Sequence, residues 1–145
     1  MGPKNVSPGS SVFRHVLPVQ IRFSDVDFLG HVSNVQYQSY FDLGKSDYFA
    51  RVLPEMDFTG LCVVGASVKI DYLRPVFLHS PVVVKTRVSK LGTKSMTLEH
   101  HLCDRDSDEI HATCSVVMVC FQVKEQRSIP LPAEWKCKIR EFEGL

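Results

Sequence analysis

The sequence is short of every strong compositional signal, and each shortage excludes something. Seventeen basic residues stand against sixteen acidic ones, a net charge of +1 at neutral pH. That is too little for a general attraction to nucleic acid or to an anionic membrane, so any anion site has to be local. No apolar run approaches the roughly 18 residues that a membrane span needs, and the N-terminus lacks the apolar centre of a signal peptide. No nucleic-acid or membrane partner is expected, and the expected location is cytoplasmic. The chain opens Met1-Gly2, but Val6 stands where a myristoylation signal needs Ser or Thr. The five cysteines, Cys62, Cys103, Cys114, Cys120 and Cys137, are odd in number and show no C-x-x-C spacing. This argues against a disulfide framework and a zinc site, and for buried thiols in a reducing compartment. Asn5-Val6-Ser7 fits a glycosylation acceptor, which has no consequence in the cytoplasm.

What is present suits one soluble domain. At 145 residues with 44% hydrophobic side chains, the chain can bury a single core without a metal or disulfide staple. Residues 1–12, rich in Gly, Pro, Ser and Asn, read as a disordered lead, and 13–145 as one domain. Leu17, Val19, Ile21 and Phe23 alternate with Gln20, Arg22 and Ser24, predicting a half-buried strand. After Gly30 the pattern changes. Tyr37, Tyr40, Phe41, Gly44, Tyr48 and Val52 recur at helical steps, with Asp47 and Arg51 placed as an i,i+4 pair, until Pro54 ends the helix. Gly44 inside the apolar stripe implies close approach to another backbone.

A loop over 55–61 leads to four more strand patterns. Val64, Ala66, Val68, Ile70 and Tyr72 alternate before Arg74-Pro75, followed by Val82–Val88 and then Ser95–Leu102. The fourth, Ile110–Lys124, is apolar on both faces from Val116, as a central strand is. Pro130 and Pro132 precede a short helix ending near Phe142. Consecutive strands joined by short turns predict an antiparallel meander, whose apolar face only the long helix can cover. The expected class is α+β, a five-stranded antiparallel sheet wrapped around one long helix.

The chemistry-bearing stretch is Asp25-x-Asp27-x-x-Gly30-His31-Val32-Ser33-Asn34, at the passage from strand to helix. A helix start offers unpaired N–H groups and partial positive charge. A carboxylate beside it can act on a carbonyl that those groups polarise. The same spacing also fits acids that merely cap the helix or sit solvated in a loop, and spacing alone does not choose. Asp25, Asp27 and His31 could in principle ligate a metal, but short acidic loops are common, and no metal is expected. His100 and His101 point to opposite faces of a strand, one packed and one solvated. Lys90 and Lys94 flank the Gly92 turn, where exposed lysines either solubilise or hold phosphate groups.

At Asp27-x-x-Gly30-His31-Val32-x-Asn34 and the aromatic helix after it, the chain resembles hotdog-fold acyl-CoA thioesterases of the 4-hydroxybenzoyl-CoA thioesterase branch. The resemblance covers about residues 15–140. Ser33 departs from the Asn common there. The resemblance implies that Asp27 is the catalytic carboxylate, acting directly or through water, and that the backbone at Asn34 polarises the thioester carbonyl. It implies that Asp25, Gly30, His31, Val32 and Ser33 shape the pocket, with Lys90 and Lys94 as loose candidates for the CoA phosphates. It further implies an acyl-CoA substrate, no cofactor, and a homodimer or dimer-based tetramer. Acyl-thioester hydratases and non-catalytic acyl-CoA binders share the fold and are the alternatives.

Overall fold

The structure, a computed structural model, describes residues 12–145, so the expected disordered lead lies outside it except for Val12. The elements run β1 (His15–Val19), α1 (Asn34–Val52), β2 (Leu61–Tyr72), β3 (Val82–Leu91), β4 (Ser95–Asp104), β5 (Ile110–Gln122), β6 (Arg127–Ser128) and α2 (Ala133–Glu143). The sheet order is β1-β3-β4-β5-β2, antiparallel throughout, with β6 adding two residues to the end of β5.

This is the expected hotdog architecture, five main strands around a long helix, with two departures in the sheet. The meander of consecutive strands holds only for β3-β4-β5. β2 crosses instead to the far edge and pairs with β5, from Leu61 opposite Gln122 to Tyr72 opposite Ala112. The first strand also stops early. After Val19 the chain leaves the sheet and makes a 3-10 turn over Phe23–Asp25. Phe23, expected on the buried face, is 84% exposed.

The concave face of the sheet carries the apolar positions of the alternation. Val84 and Val88 from β3, Met96, Leu98 and Leu102 from β4, and Ala112, Val116 and Met118 from β5 are all buried. Tyr37, Tyr40, Phe41, Tyr48, Phe49 and Val52 of α1 meet them in one core. Each such large side chain contributes about 1.5–3 kcal/mol by leaving water. Gly44 sits where the helix crosses β3. A Cβ there would lie 2.6 Å from Val84 Cγ1 and 2.9 Å from Thr86 Oγ1. The close approach inferred from the sequence is therefore to side chains of β3 rather than to a backbone. Trp135 and Ile139 of α2 close one end of the core.

Two local readings are corrected. Asp47 does not pair with Arg51: its carboxylate takes the Nε2 of buried His15 at 2.7 Å, while Arg51 lies over the Phe142 ring. The alternation assigned to β2 is broken by a bulge between Gly65 and Ser67. Val64 before the bulge and Val68 and Tyr72 beyond it are exposed on this edge strand, while Ile70 packs partly buried against the core. His100 is fully buried as expected, with its Nδ1 2.8 Å from Thr86 Oγ1, but His101, expected to be solvated, is half-buried against the Phe13 ring at 4.6 Å.

Candidate active site

The loop before α1 is a small self-bonded hairpin. Asp27 N–H donates to His31 O at 2.8 Å and Gly30 N–H to Asp27 O at 3.0 Å, while Val26 bridges Val32. Gly30 takes φ +82°, the left-handed conformation that a residue without Cβ accepts most easily. The hairpin is tied to the segment after β2. Val32 N–H donates to Val76 O at 2.8 Å, and the His31 ring meets Phe77 edge-on at 5.0 Å. That segment is held in turn by β5, because Leu73 and Arg74 N–H both donate to His111 O, at 2.8 and 3.0 Å.

The two aspartates part company here. Asp25 is 1% exposed. Its Oδ2 accepts the Tyr40 hydroxyl at 2.7 Å and Arg22 N–H at 3.0 Å, and its Oδ1 the Arg22 guanidinium at 3.1 Å. Burial pushes its pKa up, but the Arg22 N–H, the Tyr40 hydroxyl and the Arg22 guanidinium outweigh that and hold it below the ordinary carboxylate value. Burial, the bond to Asp25 and the negative charge itself together push Tyr40 far up, so it stays a donor. In an extended segment both aspartates would share a face. The 3-10 turn at Asp25 turns that side chain into the core instead.

Asp27 is exposed, and its Oδ1 accepts Leu29 N–H at 2.9 Å and His31 N–H at 3.3 Å. Both bonds fall on one oxygen, so the carboxylate is oriented while its Oδ2 takes no part in the turn. The helix begins at Asn34 after an extended Ser33 that makes no side-chain cap bond. The Ser33 carbonyl accepts Gln36 N–H at 2.9 Å, while the Ser33 side chain answers none of the first-turn N–H groups.

Asp27, His31, Val32, Ser33 and Asn34 line one open cleft of about 560 Å³, with Leu29, Tyr37 and the strand-end residues Tyr72, Leu73, Arg74 and Pro75 as its remaining wall. Arg74 sets a cation at this cleft, paired with Glu109. Of the residues singled out in the sequence, Asp25, Gly30, Lys90 and Lys94 are not in the wall. Asp25 supports the loop from inside, and Gly30 turns it. Lys90 and Lys94 belong to the β3–β4 turn at the other end of the sheet. Ser95 faces Val119 and Tyr72 faces Ala112, seven positions apart along β5, roughly 23 Å. Within one chain those lysines are remote from the cleft. The Tyr72–Pro75 wall was missed as a set because only long-range pairing brings the end of β2 to the start of α1. The single local sign was the strand stop at Arg74-Pro75.

Among the described residues no group of three His, Cys, Asp or Glu side chains is disposed to hold a metal. No helix among them is long and apolar enough to cross a membrane.

Comparison with known proteins agrees with this fold. Residues 21–139 match the family model of the thioesterase-like superfamily. The uncharacterized protein YsmA of Bacillus subtilis (strain 168) is 34% identical over 118 residues, 81% of this chain and 80% of that protein. A thioesterase of Thermus thermophilus, solved in complex with coenzyme A and Zn, superposes with a TM-score of 0.80 at 34% identity, covering 92% of this chain and 97% of its own. The long-chain acyl-CoA thioesterase FadM of Escherichia coli (strain K12) is 22% identical over 130 residues, 86% of this chain and 96% of that protein. With the matched segment spanning the long helix, the strands from β2 onward and the whole cleft, the chain belongs to the thioesterase-like superfamily and is a hotdog-fold thioester hydrolase.

Proposed function

We propose that the protein hydrolyses an acyl-CoA to the free acid and CoA in the cleft between the Asp27 loop and the end of β2. The observation that carries this reading is the meeting of Asp27 and the first turn of α1 in one cleft. The thioester carbonyl oxygen sits against the N–H groups at Asn34, where partial positive charge stabilises the oxyanion as it forms. Asp27, held by Oδ1, takes a proton from a water that attacks the thioester carbon, the C–S bond breaks, and the proton passes to the leaving CoA thiolate; or the carboxylate attacks the carbon itself, expelling the thiolate, and water then hydrolyses the mixed anhydride to the free acid and supplies the proton. His31, Val32 and Ser33 shape the reacting end, and Arg74 is placed to receive a phosphate. The named relatives support the substrate class, since one was solved with coenzyme A and another is a long-chain acyl-CoA thioesterase. Free thiols, four of them buried, fit a reducing cytoplasm.

The working form in this reading is a homodimer or a dimer-based tetramer. β2 lies at the sheet edge, twelve residues long, with exposed Val64 and Val68. Such an edge needs a cover, and a second copy would also wall the open cleft. Light scattering at micromolar concentration tests this, and an active monomer overturns it.

Single-turnover CoA release tests the chemistry. Asp27→Asn keeps the size and the turn bonds but removes the base, and lowers the rate roughly 10²–10⁴-fold with acyl-CoA binding retained. Near wild-type release from Asp27→Asn, with activity abolished in His31→Ala, would favour a histidine-based hydration of enoyl-CoA instead. Binding without any thiol release in the wild type would leave a carrier rather than an enzyme.

A further inference from the structure

The cleft continues past Asn34. A second groove of about 500 Å³ is lined by Asn34, Val35, Gln38, Ser39, Ile70 and Tyr72. Two of its residues, Asn34 and Tyr72, also line the reacting cleft. The chemistry differs across that seam. On one side stand Asp27, His31 and Arg74. On the other, Val35 and Ile70 are apolar, Gln38 and Ser39 are neutral, and no side chain is charged.

Tyr72 forms the seam. Its hydroxyl reaches Asn34 O at 3.4 Å, and its ring meets Tyr37 edge-on at 5.0 Å and 88°. Tyr37 is buried in the core, so the Tyr72 ring has a fixed backstop although 47% of the residue is exposed. An acyl group whose carbonyl lies against the Asn34 N–H groups has one uncharged way out, across the Tyr72 ring and into the groove between Val35 and Ile70.

Resting on the thioesterase reading above, we propose that Tyr72 is a specificity-determining residue: its ring is the floor over which an apolar acyl chain passes from the reacting end into the Val35–Ile70 groove. The chain buries apolar surface on that ring, while a two-carbon acyl group ends before reaching it.

The test compares CoA release from acetyl-CoA and octanoyl-CoA. Tyr72→Ala is expected to lower the octanoyl-to-acetyl ratio of kcat/KM roughly tenfold or more, the scale on which pocket contacts discriminate acyl size, whatever it does to the common rate. Tyr72→Phe keeps the ring and the octanoyl rate. Ser39→Phe fills the groove from the helix side and should depress octanoyl-CoA alone, so the proposal stays testable if Tyr72→Ala fails to fold. An unchanged octanoyl-to-acetyl ratio in the folded variants overturns the proposal. So does a Ser39→Phe variant that shifts the oligomeric state and leaves the ratio intact, because the groove is then a subunit contact. Absence of release from either thioester in the wild type is a separate result, and overturns the parent reading.

Discussion

The Tyr40 hydroxyl donates to Asp25 Oδ2 at 2.7 Å, and this bond separates two carboxylates that the sequence places side by side. Asp25 is a buried structural anion between α1 and the loop, whereas Asp27 is an exposed one at the cleft. Removing the Tyr40 hydroxyl leaves a buried carboxylate short of a donor. Tyr40→Phe should cost about 1–3 kcal/mol in urea unfolding near neutral pH. The sign with pH follows from the lowered pKa. Asp25 stabilises the fold fully above its unfolded value of 3.8, and the contribution is lost as pH falls through the lower folded value. Tyr40→Phe should therefore reduce the acid-induced loss as well. An unaltered urea midpoint would show that the carboxylate does not depend on this bond.

At Gly44 the helix comes close against β3. Alanine is intrinsically better in a helix by about 1 kcal/mol, yet its methyl would enter space already held by Val84 Cγ1 and Thr86 Oγ1. Overpacking of this kind costs about 1–3 kcal/mol. Gly44→Ala should lower Tm, and the double variant with Val84→Ala should recover part of the loss relative to Val84→Ala alone. Additive effects of the two substitutions would place the helix face elsewhere.

His100 sets a second pH window, apart from that of Asp25. Burial first, then the nearby Lys45, push its pKa down to about 3 against the opposing pull of Asp42, with His15 and His101 adding to the depression. Above the unfolded value of 6.5 neither state is protonated, and His100 costs nothing. Between there and about 3 the unfolded chain holds a proton that the fold excludes. Stability then drops with pH at about 1.4 kcal/mol per unit. Urea midpoints between about pH 7 and pH 4.5 should fall more steeply for the wild type than for His100→Gln. Parallel slopes would mean that His100 accepts its proton inside the fold.

Arg74 is the cation that one chain itself supplies to the cleft. Removing it should raise KM for acyl-CoA roughly fivefold, the equivalent of about 1 kcal/mol, with kcat little changed and the salt dependence of KM weaker. The double variant Lys90→Ala/Lys94→Ala leaves KM unchanged unless the partner subunit brings those lysines to the site. A raised KM in the double variant with none in Arg74→Ala would move the phosphate contact to the β3–β4 turn.

Local pattern was a good guide wherever local physics decides. The α1 stripe and the β3 and β4 alternations follow from side-chain periodicity, and the structure keeps them. The partner of β2 was not legible, because strand pairing is chosen by the whole sheet; the long connection between Tyr72 and Val82 permits a crossover without saying where β2 goes. The fate of Asp25 was hidden for a different reason. A short 3-10 turn leaves no periodic signature, and its acceptor role depends on Tyr40, fifteen residues on, which the helix pattern had already assigned to the core. Asp27 was legible because it stands next to the helix start in the chain as well as in space. Tyr72 and Arg74 gained their place from pairing between the end of β2 and β5.

The β2–β5 pairing also fixes when the cleft can exist. The β3-β4-β5 meander closes through short turns and can form from local contacts. The strand that pairs with β2 begins at Ile110, well after every residue of the cleft wall in the chain. Non-local pairings of this kind come with a loop-closure cost and form slowly. A nascent chain stopped short of Ile110 would carry Asp27, Asn34, Tyr72 and Arg74 and still have no cleft. The cleft is in that sense completed from downstream, by a segment that contributes no side chain to its wall.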